Sequence, residues 1–106
     1  MKIAVDIKEK IKRCLQRVAP DASILLYGSQ ARGDARADSD IDLLILLPDS
    51  LSPAEFVRRK LDISGHIYDL SLELGKEISP LILVPKVFYA RRTPFTENVL
   101  LDGIAI

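Results

Sequence analysis

The chain has 106 residues, of which 48% are apolar and 28% are charged, and this predicts one globular domain spanning residues 1–106. The formal net charge is zero, whereas proteins that bind the nucleic-acid backbone normally carry a basic excess, so a nucleic-acid partner is disfavoured. The single cysteine, Cys14, excludes an intrachain disulfide, and the lack of a secretion signal or a membrane-spanning apolar run predicts a cytoplasmic protein.

The first half of the chain predicts one helix and two strands. Apolar residues recur every three or four positions over residues 7–18, which is typical of an amphipathic helix, and Pro20 ends it. A short apolar run over residues 23–27 predicts a buried strand, and a longer run over residues 40–47 predicts a second. The polar stretch between them, residues 31–38, predicts a short helical turn followed by a loop.

The second half predicts a long helix, a third strand and two short helices. Ser52 and Pro53 are a typical helix start, with a capping serine before a proline, and Gly75 is a typical helix end. The buried side of this helix is predicted to consist of Phe56, Leu61, Ile67, Leu70 and Leu74, with Gly65 as a possible break. A strand over residues 78–84 and a helix near residues 85–91 follow. A last helix after Pro94 is predicted to have Phe95, Val99, Leu100 and Ile104 as its apolar side.

The order of these elements predicts an α/β fold, in the broad sense that includes α+β. The connection between the second and third strands is long enough for a right-handed crossover helix, so these two strands are expected to be parallel. We therefore expect a small mixed sheet with helices packed mainly on one face.

Two aspartates at the start of the second predicted strand indicate a metal site. Asp40 and Asp42 are two positions apart, so their side chains are expected to leave the same face of the strand. Neighbouring carboxylates repel each other unless a cation lies between them. Mg²⁺ meets that need when phosphate oxygens fill its remaining coordination positions.

The turn that precedes these aspartates has the features of a phosphate site. Gly28 lets the backbone approach a phosphate closely, the N–H groups of a helix start favour an anion, and the hydroxyl of Ser29 adds a donor. Arg32 is interpreted as a further phosphate contact, and the alternative is a surface ion pair with Asp34 or Asp38. The loop as a whole therefore predicts a phosphate site and a divalent-metal site side by side, as nucleotidyl transfer requires.

These residues also carry a family resemblance. The sequence Gly-Ser-x-Ala-Arg-Gly over residues 28–33, followed by Ser-Asp-Ile-Asp-Leu over residues 39–43, resembles the signature of the minimal nucleotidyltransferases (MNT) of the DNA polymerase β superfamily. The resemblance implies a polymerase-β-like mixed sheet flanked by helices, Mg²⁺ at Asp40 and Asp42, and the triphosphate of ATP or another NTP at Gly28 and Ser29. It also implies a role similar to that of the MntA antitoxins, which neutralise an all-helical HEPN partner by attaching AMP to it.

One position departs from the family pattern. The superfamily places a third carboxylate on the next core strand, and alignment puts Ser79, followed by Pro80, at that position. Glu77, two residues earlier on the same strand face, is the candidate for the third catalytic acid.

Two alternatives therefore stay open. The first is a catalytically degenerate module that acts by binding a helical partner protein. The second is a domain that modifies a small molecule, as aminoglycoside nucleotidyltransferases do, although those enzymes usually have an additional helical domain. The short chain also suggests that a partner subunit or an oligomer completes the site.

Three further residues are interpreted as structural. Cys14 lies on or near the apolar side of the first helix, so a buried thiol is expected. His66 is expected on the surface of the long helix or partly buried. Tyr27 is expected to pack in the core.

Overall fold

The computed structural model describes residues 5–36 and 39–106, which form a four-stranded sheet with helices on both faces. Asp38, one proposed partner of Arg32, lies outside the described residues. The elements are α1 (Val5–Val18), β1 (Ser23–Tyr27), α2 (Ser29–Arg32), β2 (Ile41–Leu46), α3 (Pro53–Leu74), β3 (Ile78–Leu83), α4 (Pro85–Phe88), α5 (Pro94–Asp102) and β4 (Ile104–Ala105). No helix among the described residues is long and apolar enough to span a bilayer.

The sheet is mixed, as predicted. Its strand order is β3-β2-β1-β4, with β1 antiparallel to both β2 and β4. Strands β2 and β3 are parallel, and α3 is the crossover helix that connects them. This arrangement leaves β3 at one edge of the sheet and the two-residue strand β4 at the other.

One face of the sheet is covered by the two longest helices, α1 and α3. Leu43 and Ile45 of β2 point to this face and are fully buried, together with Ile11 of α1 and Ile63 of α3. Each fully buried aliphatic side chain contributes roughly 1.5–3 kcal/mol of transfer free energy, so this face holds most of the core. Cys14 is buried here, as expected, and that burial raises the pKa of its thiol.

Helix α3 begins and ends where its capping residues predict. Ser52 and Glu55 form a reciprocal capping box, and Gly75 closes the helix with a φ of 64°. The helix runs without a break through Gly65. One predicted core position is wrong, because Leu61 is exposed and Ile63, which was not predicted, lies in the core.

The opposite face of the sheet is covered by the short helices α4 and α5. Leu44 and Leu46 of β2 are buried there against Phe88 and Val99. The predicted apolar side of the last helix is only partly correct: Val99 is buried, whereas Phe95 and Leu100 are exposed and Ile104 lies in β4. Strand β4 was not predicted, since two residues are too few to show a periodic pattern.

Candidate active site

Asp42 is held on the sheet face that carries α4 and α5. It is the second residue of β2, and its register partners are Tyr27 on β1 and Ser79 on β3. Its carboxylate lies directly against the backbone of Gly28, because a Cβ atom at Gly28 would collide with Asp42 Oδ2. The pairing of β1 with β2 therefore brings the predicted phosphate turn and the predicted metal ligand into contact.

Gly28 is required at this point for two separate reasons. Its φ of 76° and ψ of −156° lie in a region of backbone conformation that is essentially restricted to glycine. Its missing side chain also leaves the space that the Asp42 carboxylate occupies. The chain uses this conformation to turn from β1 directly into α2.

Asp40 lies just outside β2, at the end of the loop. The strand was predicted to start at residue 40, but it starts at Ile41, whose N–H donates to the carbonyl oxygen of Glu77 at 2.9 Å. Asp40 is exposed, whereas Asp42 is half-buried. The two acids therefore lie next to each other at the start of the strand, one in solvent and one against the Gly28 turn.

The electrostatics of Asp42 reflect this neighbourhood. Burial raises the pKa of its carboxyl above the usual value, and the negative charge of Asp40 raises it further. The positive charge of Arg32 acts in the opposite direction. Asp40 and Asp42 thus repel each other, which is the arrangement that a divalent cation with hard oxygen ligands stabilises.

Ser29 is the first residue of α2. It directly follows Gly28, the residue that the Asp42 carboxylate contacts. The N–H groups of Ala31 and Arg32 donate to Gly28 O at 3.1 and 3.0 Å and form the first intrahelical bonds. The N–H groups of Ser29 and Gln30 precede these bonds and belong to the group of amides that an α-helix cannot pair within itself. These amides and the serine hydroxyl are the donors that this turn can offer to an anion.

Gln30 is a site residue that the sequence analysis missed. Its side chain is buried, and its Nε2 donates to Ser39 O at 3.3 Å. The hydroxyl of Ser39 in turn accepts a hydrogen bond from Arg36 N at 2.7 Å. Gln30 therefore fixes α2 to the residue immediately before Asp40. The only feature of the sequence that could have pointed to this role is that Gln30 lies within the motif, at the variable position of Gly-Ser-x-Ala-Arg-Gly.

Arg32 forms two ion pairs. Its Nε lies 3.2 Å from Asp34 Oδ2, which is one of the surface ion pairs that the sequence analysis considered. Its Nη1 lies 3.2 Å from Asp102 Oδ2 at the end of α5. The second pair was not predicted, because residue 102 is 70 positions away in the sequence. The guanidinium thus links the loop to α5 while its charge acts on Asp42.

Strand β3 places Ser79 beside Asp42, as the alignment suggested for the third-acid position. Glu77 immediately precedes β3 and is exposed, and its backbone carbonyl lies next to Asp40 through the bond from Ile41. Pro80 is tolerated within β3 because an edge strand has one side on which no ladder hydrogen bond is needed. Within the described parts of the chain, no three His, Cys, Asp or Glu side chains are grouped to hold a metal ion.

Tyr27 and His66 lie close to where they were expected. Tyr27 is partly buried, and its ring makes an edge-to-face contact with Phe95 at a centroid distance of 5.7 Å. Burial raises the pKa of the Tyr27 phenol, and the charge of Asp42 adds to that effect. His66 is partly buried on α3, with Nε2 3.6 Å from Asp62 Oδ1.

Comparison with known proteins assigns the family. Residues 7–102 match the family model described as a nucleotidyltransferase domain. The chain belongs to the nucleotidyltransferase domain family. The nucleotidyltransferase family that the sequence resemblance indicated is therefore confirmed.

The relatives of the chain agree with this assignment. A candidate protein adenylyltransferase of Methanocaldococcus jannaschii is 33% identical over 85 residues, which cover 76% of this chain and 54% of that protein. The chain thus spans about half the length of this curated relative. A solved structure of a candidate minimal nucleotidyltransferase superposes with a TM-score of 0.63 at 23% identity, covering 95% of this chain and 93% of that one.

A further structure is a complex of two proteins. A chain in the structure of a tri-AMPylated HEPN toxin bound to an MNT antitoxin from Shewanella oneidensis superposes with a TM-score of 0.54 at 18% identity, covering 93% of this chain and 67% of that one. At these identities the two structural matches show the fold alone. They confirm the predicted mixed sheet flanked by helices.

Proposed function

We propose that this chain is a Mg²⁺-dependent nucleotidyltransferase that transfers AMP from ATP to a hydroxyl group of a helical HEPN-type partner in the cytoplasm, as an MntA-like antitoxin does. The observation that carries the proposal is the contact of the Asp42 carboxylate with Gly28, beside Asp40. This contact supports the proposal because it joins a proposed metal ligand to the proposed phosphate turn in a chain of the nucleotidyltransferase family.

Asp40 and Asp42 are the residues that would hold Mg²⁺. Both supply hard carboxylate oxygens, and their mutual repulsion is relieved by a divalent cation. Because no third acidic side chain is grouped with them among the described residues, phosphate oxygens and water would complete the coordination. When bound, the ion would neutralise the negative charge that develops on the leaving pyrophosphate.

Gly28, Ser29 and Arg32 would hold the triphosphate. The Gly28 backbone can approach phosphate oxygens closely, and Ser29 adds its hydroxyl and amide as donors. Arg32 is shared between Asp34 and Asp102, so it contacts a phosphate only by giving up part of one ion pair. The Arg32 guanidinium is largely exposed in both pairs, and ion pairs of exposed groups stabilise a protein only weakly, so this exchange costs little.

Glu77 is the residue that we assign to the attacking hydroxyl. The acceptor oxygen attacks the α-phosphorus, the bond from that phosphorus to pyrophosphate breaks, and a carboxylate takes the proton of the hydroxyl. Ser79 stands where the third acid is expected and has no basic group at neutral pH. Glu77 lies one residue before β3, level with Asp40, and is exposed to an incoming acceptor.

The HEPN-type partner is supported by two observations. The sequence resembles the MntA antitoxins, and the same fold occurs in the Shewanella oneidensis complex of an AMPylated HEPN toxin with an MNT antitoxin. Among residues 5–36 and 39–106, the face that holds Asp42 is covered by two short helices, which would leave the site accessible to an acceptor group on another protein.

The test is transfer of label from α-labelled ATP with Mg²⁺, with and without the product of the neighbouring gene. Label on the partner is expected with the wild-type chain and should be lost in Asp40→Asn and in Asp42→Asn. Asp62→Asn is the matched control, because Asp62 is an exposed acid on α3, away from the site. Glu77→Gln should slow transfer while leaving Mg²⁺-dependent ATP binding intact.

A catalytically degenerate module is the second candidate, favoured by Ser79 in the place of the third acid. It predicts Mg²⁺-dependent ATP binding that Asp42→Asn abolishes, together with partner binding and no label on the partner. If neither ATP binding nor transfer occurs, the assignment of Asp40 and Asp42 as a metal site has to be abandoned.

A further inference from the structure

The aromatic ring of Phe95 is exposed next to the candidate active site. Phe95 lies in the first turn of α5, and its exposed fraction is 45%. Its ring meets the ring of Tyr27 at a centroid distance of 5.7 Å, with the two planes 86° apart. Tyr27 is the residue directly before Gly28, so this aromatic pair borders the proposed phosphate turn.

The aromatic pair also lies one strand away from a proposed metal ligand. Tyr27 and Asp42 are directly opposite each other in the antiparallel β1–β2 ladder. Such partners have their side chains on the same face of the sheet, with Cβ atoms about 4.5–5.5 Å apart. The charge of Asp42 accordingly helps to raise the pKa of the Tyr27 phenol. The exposed Phe95 ring is therefore within reach of a ligand that Asp42 holds through a metal ion.

Helix α5 keeps Phe95 in a fixed place. At its start, Thr93 and Thr96 form a reciprocal capping box with bonds of 2.8 and 3.1 Å. Four residues after Phe95, Val99 is buried against the sheet, and seven residues after it, Asp102 ties the end of the helix to α2 by an ion pair. A side chain on an ordered backbone loses less conformational entropy when a ligand covers it.

The proposed chemistry leaves this side of the site for the nucleoside. In an in-line displacement the acceptor oxygen and the leaving pyrophosphate are on opposite sides of the α-phosphorus. Glu77 and Ser79 lie on the β3 side of Asp42. Tyr27 lies on the opposite side, because β2 is between β3 and β1 in the sheet. The β3 side has to stay open for the acceptor, so the base is expected on the β1 side, where Phe95 lies.

An exposed aromatic face beside a triphosphate site fits a nucleobase. Bases have flat π-faces that stack on aromatic side chains. In an edge-to-face pair each ring gives at most one face to the other, and the exposure of Phe95 agrees with a face that stays open. Single exposed apolar residues are common on protein surfaces. What distinguishes Phe95 is its position beside a site that is proposed to bind a nucleotide.

Tyr89 is an aromatic residue of the same kind in another place. It is 58% exposed, and its ring makes an edge-to-face contact with Phe88 at 4.9 Å. Phe88 packs against Leu44 and Leu46, which lie further along β2 than Asp42. Tyr89 therefore matches Phe95 in exposure and ring contact without bordering the phosphate turn, which makes it the natural control.

We propose that the ring of Phe95, held in position by Tyr27, stacks on the base of the bound nucleoside triphosphate and gives the site a preference for purine over pyrimidine bases. A purine is favoured because its two fused rings offer more surface for stacking than the single ring of a pyrimidine. This subsite rests on the proposed nucleotidyl transfer, since it requires a triphosphate at Gly28 and Ser29.

Calorimetry with two ligands separates the base from the phosphates. The full chain would be titrated in Mg²⁺ with a non-hydrolysable ATP analogue and with inorganic tripolyphosphate, which has no base. Phe95→Ala should weaken binding of the ATP analogue roughly 5- to 150-fold, the loss expected for one base–aromatic stack, and leave tripolyphosphate binding unchanged. Phe95→Tyr, which keeps an aromatic ring, should bind both ligands as wild type does, and so should the control Tyr89→Ala.

The outcomes distinguish the subsite from the proposed function. Equal weakening of both ligands by Phe95→Ala would show that the side chain only supports the local fold, and it would overturn the subsite. So would unaltered binding of the ATP analogue, including the case in which Phe95→Ala instead loses capture of the helical partner. A wild-type chain that binds neither ligand would overturn the proposed function and the subsite with it.

Base preference gives an independent readout. Wild type should bind the ATP analogue more tightly than the matching UTP analogue, and Phe95→Ala should bring the two affinities within about twofold of each other. A merely structural role would lower both affinities and keep their ratio. Equal affinity of wild type for the two analogues would overturn the purine preference.

A tryptophan at this position reports the stack directly, because the sequence contains no other. The fluorescence of Phe95→Trp should be quenched by the ATP analogue with Mg²⁺ and not by tripolyphosphate. Tyr89→Trp is the matched control and should respond to neither ligand. If the emission of Phe95→Trp stays constant while calorimetry shows that the ATP analogue is bound, the base lies elsewhere and the subsite is wrong.

Discussion

Replacing Gly28 with alanine perturbs the backbone and the Asp42 carboxylate at the same time. The new methyl group would collide with Asp42 Oδ2, so the carboxylate has to leave its place against the turn. The backbone would also have to keep a φ of 76° and a ψ of −156°, or the turn into α2 would have to rearrange. Both effects are expected to reach the proposed nucleotide site.

The size of each effect can be worked out separately. A non-glycine residue in this part of backbone space costs of order 1–3 kcal/mol. For a domain of this size, each kcal/mol lowers the melting temperature by about 4–8 °C. Displacement of a metal ligand adds a loss of Mg²⁺-ATP affinity, expected to be at least tenfold, or about 1.4 kcal/mol.

Gly75→Ala separates the two effects. Gly75 also has a positive φ, 64°, but a Cβ atom there meets nothing within 4 Å. The change should cost about 1–2 kcal/mol of unfolding free energy and leave nucleotide binding unaltered. Urea unfolding would be followed by circular dichroism, and binding of a non-hydrolysable ATP analogue with Mg²⁺ by calorimetry. If Gly28→Ala binds the nucleotide as wild type does and loses no more stability than Gly75→Ala, the inferred contact has no functional role.

Three other changes test separate parts of the structure. Gln30→Ala removes the donor to Ser39 O and is expected to lower the free energy of unfolding in urea by about 1–3 kcal/mol and to weaken Mg²⁺-ATP binding. If neither the free energy of unfolding nor the ATP affinity changes, Gln30 does not position the loop. Asp102→Asn removes one partner of Arg32 and should change the midpoint of urea unfolding little, because ion pairs of an exposed guanidinium are weak, while ATP affinity rises. An unaltered ATP affinity would restrict Arg32 to ion pairing. The Cys14 thiol, buried and with a raised pKa, should react with a disulfide reagent far more slowly in the native chain than in guanidinium chloride; equal rates would contradict the burial.

The long periodic elements could be predicted from the sequence because local signals define them. The period of α1, the capping box of α3 and the apolar run of β1 place these elements within a few residues of their observed bounds. The error at Leu61 has a physical reason: α3 has apolar residues on two sides, and periodicity alone does not decide which side meets the sheet. Ile63 faces the core, whereas the side chain of Leu61 faces solvent.

The sequence suggested candidate site residues, but it could not predict the contacts between them. The Asp42–Gly28 contact depends on the β1–β2 register, in which Tyr27 faces Asp42, and the long loop between the strands hides that register from the sequence. The Arg32–Asp102 pair joins residues 70 positions apart, and no local pattern points to it. Gln30 could not be distinguished from an ordinary polar helix residue until its burial was known.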